Sequence, residues 1–446
     1  MTGVRDSALT QLLGWPQGLD NLSSETGLAM GKKGPGGTVQ GALRVADNVD
    51  IDEQGKISRR RGYTVVEATT DLQSVWADKR YPYMLAVHGQ NLVKYNEDLA
   101  RTTIVALTAP AGTRMSYAFD AGYVYYTNGF DSGRVDFDGF RSPWALQPPT
   151  GQPLLQANAA GGLAAGQYQV AITYRDASGR ESGTTMAADI ELTEGQGIRL
   201  LSIPQPTDPE AAWIRIYATH TNGTVLRFCQ DIPVGLTTYV LGAQMLGAPL
   251  ATQFHEPLPP GQIVRLYRGR MYVFRYNILY FSEAMHYGQG ILHANYVHMN
   301  GDGTMIEGLH LGEETGLFVA DAKRTYFFSG AEPAKWTRAI AHAHGVVVGS
   351  PTQVDPVLLG LEGSGSVPFW FDTAGGMVVG GAGGRVTPLH RDRFVGPANA
   401  EAAATVVREV AGLRQVLTTV RGGTENPLAV SDRAEAEVWK NGVRLS

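Results

Sequence analysis

Short apolar and aromatic runs alternate with polar turn residues along most of the chain. Tyr83-Met84-Leu85-Ala86-Val87 leads through His88-Gly89-Gln90-Asn91 to Leu92-Val93-Lys94-Tyr95. Gly269-Arg270-Met271-Tyr272-Val273-Phe274 leads through Arg275-Tyr276-Asn277 to Ile278-Leu279-Tyr280-Phe281. Arg114 to Phe119, Asp120-Ala121-Gly122 and Tyr123 to Thr127 repeat the plan. Each phrase reads as strand, tight turn, strand, because Gly, Asn and Asp supply the turn backbone and the flanking runs suit pleated strands. Repeated hairpins with no helical period between them predict an all-β, β-propeller-like core.

The pattern divides the chain. Residues 1–40 are Gly-rich and weakly periodic, as expected of an extended N-terminal arm. Residues 41–147 hold the first part of the propeller, starting with a hairpin over 41–66 whose turn is Asp52-Glu53-Gln54-Gly55. Proline runs at Pro148-Pro149 to Pro153 and at Pro257-Leu258-Pro259-Pro260 bracket a different segment, 148–261. Its strands are longer. Gly166 to Tyr174 alternates strictly, and Ala212 to Ala218 with Val225 to Phe228 forms a hairpin around Thr221-Asn222-Gly223. Roughly 100 residues of such strands predict a β-sandwich with Trp213 as its buried tryptophan. Hairpins resume over 262–446, giving about five to seven candidate blades. A strand at Glu437-Val438-Trp439 is placed to complete a blade begun near the N-terminus.

Composition narrows the function. The chain has 446 residues, enough for two or more cores, with 55 Gly, 23 Pro and 18% charged residues, a turn-rich profile. A net charge of −5 does not suit a protein that grips nucleic acid, and it is compatible with a surface past which DNA slides. The single cysteine, Cys229, reads as a small buried hydrophobe and excludes an intrachain disulfide. The expected chain has no signal peptide at Met1-Thr2-Gly3-Val4-Arg5-Asp6 and no transmembrane helix.

Several phrases carry a resemblance. Leu43 to Asp52 leading into Gly55-Lys56-Ile57-Ser58-Arg59-Arg60-Arg61-Gly62-Tyr63 resembles the N-terminal signature of tail proteins from short-tailed bacteriophages. Tyr272-Val273 through Leu279 to Ala284, and Thr315 to Val319 through Thr325 to Gly330, resemble strand pairs of the same proteins. Ala165-Gly166-Gln167-Tyr168 to Gly179-Arg180-Glu181-Ser182 resembles a fibronectin type III or immunoglobulin-like domain. The family is the tail nozzle, or tail tubular protein B. The resemblance implies a virion tail protein assembled in the host cytoplasm: a propeller-like subunit of a six-fold homo-oligomeric ring. That ring extends the DNA-ejection channel below the portal and adaptor. The partners it implies are further copies of the chain, the adaptor or head-to-tail connector, tip needle, spike or fibre proteins, and double-stranded DNA in passage. It implies no stable sequence-specific nucleic-acid binding, no enzymatic activity and no cofactor.

Candidate chemistry is sparse. Asp50-x-Asp52-x-Gln54-Gly55-x-Ile57 partly fits an EF-hand loop, but Arg61 stands where the bidentate Glu belongs and the flanks are strands, so a hairpin turn is the better reading. Arg59-Arg60-Arg61 is the densest basic run. On a strand, Arg59 and Arg61 share one face and Arg60 takes the other, placing them as inter-subunit or DNA-facing candidates or on a solvated face. His342-Ala343-His344 puts two imidazoles on one strand face without a third ligand at a recognisable spacing, although His310 and His390 could approach. Asp131, Asp136 and Asp138 could supply a glycosidase pair or the carboxylates of an Asp-rich turn. Gly375-Gly376, Gly380-Gly381 and Gly383-Gly384 read as blade turns. No Gly-x-Ser-x-Gly, Gly-x-x-x-x-Gly-Lys-Ser/Thr or His-Glu-x-x-His motif occurs. The leading expectation is a structural tail protein. The alternatives are a virion-associated propeller glycosidase or lyase and a glycan-binding adhesin using the insert.

Overall fold

The computed structural model describes residues 71–299 except 121 and 244–246, then 316–330, 332–359, 366–389, 394–410 and 413–426. It also describes short pieces at 32–33, 39–40, 49–51, 57–59, 308–310, 438–440 and 443–445, and residues 22, 43 and 69. The protein is all-β and β-propeller-like, with an inserted sandwich. It forms two compact units, one of residues 69–304 and one of residues 1–68 with 305–446.

The first unit contains three four-stranded antiparallel sheets whose strands follow chain order, the construction of a propeller blade. Leu72–Ala77, Tyr83–His88, Asn91–Asn96 and Arg101–Ala106 form the first blade. Ser116–Asp120, Tyr123–Thr127, Ser132–Val135 and Arg141–Ser142 form the second. Ile263–Tyr267, Arg270–Arg275, Ile278–Phe281 and Tyr296–His298 form the third.

Face-to-face stacking explains why the middle strands of these blades are apolar at most positions. Leu85 and Val87 pack with Val124, Tyr126 and Val135 of the second blade. Ala86 points the other way and packs with Val93 and Tyr95. The second blade's far face sets Ala118 and Tyr125 against Val264, Met271 and Val273 of the third. Each large apolar side chain so buried contributes about 1.5–3 kcal/mol.

The second and third blades are separated in sequence by the insert, yet they are neighbours in space. Thr127 Oγ1 donates to the Gly261 carbonyl at 2.8 Å, and Val264 N donates to Ser116 Oγ at 3.1 Å.

The insert is a seven-stranded sandwich. Leu154–Leu163, Gln196–Leu201 and Tyr239–Leu241 form one sheet. Ala188–Leu192, Gly166–Asp176, Ala211–Ala218 and Arg227–Pro233 form the other. Ile172, Ile198, Leu200, Ile214 and Ile216 fill the space between them, with Cys229 among them as expected.

One expectation is corrected here. Trp213 is not buried: it is 37% exposed. Strand alternation sends Ile214, Ile216 and Ala218 inward and Trp213 out, so Tyr168 and Tyr174 supply the core aromatics. The Gly166–Asp176 strand is covered on its second face as well. Ala171 is buried there with Tyr217 and Leu226, beneath Phe228 and Leu250.

The other unit holds two more meanders. Gly308–His310, Gly316–Ala320, Thr325–Ser329 and Thr337–His342 form one. Thr352–Val354, Val367–Phe371, Met377–Gly380 and Val386–Leu389 form the next. Phe318 and Phe327 meet Trp370 and Val378 between the two. Ala402–Val410 pairs with Leu413–Arg421 as expected, and Gly412 between them lies outside the described residues. The Val49–Ile51 and Ile57–Arg59 strands pair as the predicted N-terminal hairpin. Val438–Lys440 is a strand, and its described partner is Val443–Leu445 rather than an N-terminal segment.

Candidate functional site

The residues singled out by sequence scatter. Arg59 is exposed at the end of its strand, opposite Val49. Arg60 and Arg61, the turn of the EF-hand-like loop, and His390 lie outside the described residues. His342 ends its strand and His344 sits in the following bend, with ring centroids 5.2 Å apart. His342 Nε2 lies 2.9 Å from Asp372 Oδ2, while Asp372 Oδ1 accepts from Ala374 N and Gly376 N. Among the described residues, no group of three or more His, Cys, Asp and Glu side chains could hold a metal ion.

Asp131 and Asp136 serve their turns. Asp131 accepts from Thr108 N and Oγ1, Ala109 N and Asn128 Nδ2. Burial pushes its carboxyl up, but these hydrogen bonds outweigh burial and hold it below the usual range. Asp136 Oδ1 accepts from Asp138 N and Phe140 N, closing an Asx turn. The Asp138 carbonyl accepts from Lys94 Nζ.

Two constellations were not read from the sequence. The first anchors the sandwich. Arg180 donates to Asp176 Oδ2 at 2.6 Å, to the Pro143 carbonyl at 2.7 Å and to Glu210 Oε2 at 2.6 Å. Arg134 of the second blade lies over the Tyr123 ring at 3.8 Å, donates to Ser142 Oγ and reaches Asp176 at 3.9 Å. Burial pushes the Asp176 carboxyl up, yet Arg180 and the hydrogen bonds of Ser178 and Arg180 prevail and hold it below the usual range. On the far side, Gln289 Nε2 donates to the Glu181 carbonyl at 3.0 Å. Beside it His255 is 4% exposed, with Nδ1 lacking a hydrogen-bond partner and its ring 5.7 Å from that of His286. The sandwich is therefore clamped to the blades on both sides of the insertion.

The second is an aromatic groove at one end of the first two blades. In a four-stranded meander the first and third connections leave by the same end. Here those connections are 78–82 and 97–100 in the first blade and, among the described residues, Gly122 and 136–140 in the second. Tyr81 stands at the centre, with ring centroids 5.2 Å from Trp76, 5.8 Å from Tyr83 and 5.8 Å from Phe137. Phe137 is 51% exposed and Phe140 71%. Arg80 lies 4.2 Å over the Phe119 ring and holds Asp78 by paired bonds of 2.8 and 3.0 Å. Depressions of about 350 and 190 Å³ flank Tyr81. The available signal was aromatics set inside polar turns: Lys79-Arg80-Tyr81-Pro82 and Phe137-Asp138-Gly139-Phe140.

No family model matches the chain. No curated protein matches it. Among solved structures, the N-terminal domain of Nup159 aligns at a TM-score of 0.32 and 10% identity, covering 81% of this chain and 77% of that one. The CNH domain of AfRom2 aligns at 0.23 and 7%, covering 74% and 86%. At that similarity neither protein's role carries over, and the fold description rests on the sheets themselves.

Proposed function

We propose that this protein is a structural subunit of a short phage tail, assembled as a ring that forms part of the DNA-ejection channel. The observation that carries the reading is the sandwich joined to two adjacent blades by the Arg134–Asp176 ion pair and by hydrogen bonds from Arg180 to the Pro143 carbonyl and from Gln289 to the Glu181 carbonyl. Such a build suits a part that works by shape, and it accompanies the strand phrases that resemble the tail nozzle family. Carboxylates employed as turn caps at Asp131 and Asp136 speak against the alternative of a glycosidase at that turn. A closed ring joins unlike patches of successive subunits, so two separate surfaces of each copy are expected to be covered. The adaptor above and the tip proteins below are the further partners of this reading. Cryo-electron microscopy of the particle containing the chain tests it. The expected result is a ring of copies around an axial channel wide enough for duplex DNA. A virion that lacks the chain, or a protein that stays monomeric beside its adaptor, overturns it.

A further inference from the structure

We propose that the aromatic groove at the loop end of the first two blades binds pyranose rings of a glycan. The inference is independent of ring assembly and lies outside the sandwich.

Apolar rings gathered on a loop surface mark a binding site more often than a structural need. Phe137 leaves about half its surface in water while touching Tyr81, so its exposed side is available to a ligand. The rim is polar and fixed. Arg80 is held from both sides, by Asp78 through two hydrogen bonds and by the face of Phe119. A pyranose offers the complement: an apolar C–H face to lie on a ring, and hydroxyls that both donate and accept at its edge.

Other occupants fit less well. A nucleobase also stacks, but it brings phosphates toward walls where Asp78, Glu97 and Asp120 outnumber Lys79 and Arg80. An added peptide strand needs an open sheet edge, whereas strand ends and the connections between them build these walls. The larger depression lies near the small end of ligand sites, which run from about 300 Å³. Because both depressions share Tyr81, a glycan chain would set successive rings on either side of it.

The test uses the full chain. A glycan array selects a ligand, and saturation-transfer NMR with that ligand, or with maltose, cellobiose and N-acetyllactosamine, reads the contact. The expected result is transfer concentrated on one C–H face of a pyranose, with affinity at least tenfold weaker in Phe137→Ala and in Arg80→Ala. Both side chains are largely exposed, so an unchanged melting curve is expected for each. Phe130→Ala, another exposed aromatic, should bind as the parent does. Absence of array hits together with absence of transfer overturns the proposal. So does undiminished binding in Phe137→Ala, or a Phe137→Ala effect confined to self-association in sedimentation.

Discussion

Single residues show how burial redirects chemistry. Cys229 sits in the sandwich core, and burial pushes its thiol up to about 11, so it is a packing group and a poor nucleophile. That role was legible, because Val225-Leu226-Arg227-Phe228-Cys229 sets the thiol in an apolar strand. The role of His255 was not legible: its burial depends on a linker folding back on the sandwich, where Phe254 N donates to the Thr184 carbonyl. Burial lowers the His255 pKa, the neighbouring His286 lowers it further, and Glu283 opposes them. A histidine with a depressed folded pKa binds fewer protons folded than unfolded. Its contribution is therefore complete above the unfolded value and is lost as pH falls through the folded one. The expected outcome is a melting temperature that drops between pH 7.5 and pH 5. His255→Asn should show a shallower drop, measured by calorimetry at both pH values. Equal drops in the two proteins would mean that groups other than His255 set the acid sensitivity.

At the level of elements, strand phrases were readable because alternation and turn residues are local signals. Leu85 and Val87 on one face and Ala86 on the other are visible in five consecutive residues. Trp213 was misplaced because periodicity fixes which residues share a face and leaves open which face is covered. The groove was beyond reach for a related reason: it collects four connections that meet only after two blades have stacked. The sandwich clamp likewise joins Arg134 of a blade to Asp176 of the insert, which Arg180 also binds. Arg180→Ala leaves the Asp176 carboxylate buried, with Arg134 3.9 Å away as its remaining ion-pair partner. Removing one member of a buried pair costs about 3–5 kcal/mol. Equilibrium urea unfolding should show that loss, whereas a change below about 1 kcal/mol would assign the pair the weight of a surface salt bridge. Gly183 belongs to the same junction. A Cβ there would lie 1.8 Å from the His255 carbonyl oxygen, so the linker and the strand it follows approach more closely than any side chain permits.

At the scale of the whole molecule, charge separates a conduit from a clamp. Affinity for duplex DNA comes chiefly from cations that displace counterions from phosphates, and its logarithm falls with salt in proportion to their number. This chain has 37 Lys and Arg against 42 Asp and Glu. Several of its arginines are also committed internally: Arg180 to Asp176 and Glu210, and Arg215 to Asp231 and Glu181. Cations paired in this way offer phosphate little. A channel wall must do the same, since each firm phosphate contact would have to break for every step of a moving duplex. The proposed conduit therefore predicts that the purified chain does not retain duplex DNA in a filter-binding assay at about 0.15 M salt. It also predicts that binding at low salt, if present, vanishes with a shallow slope. Retention at physiological salt with a steep slope would reveal a row of unpaired cations. Arg59, exposed on its hairpin, would then be the first residue to replace, and a protein that holds DNA would take the place of one that lets it pass.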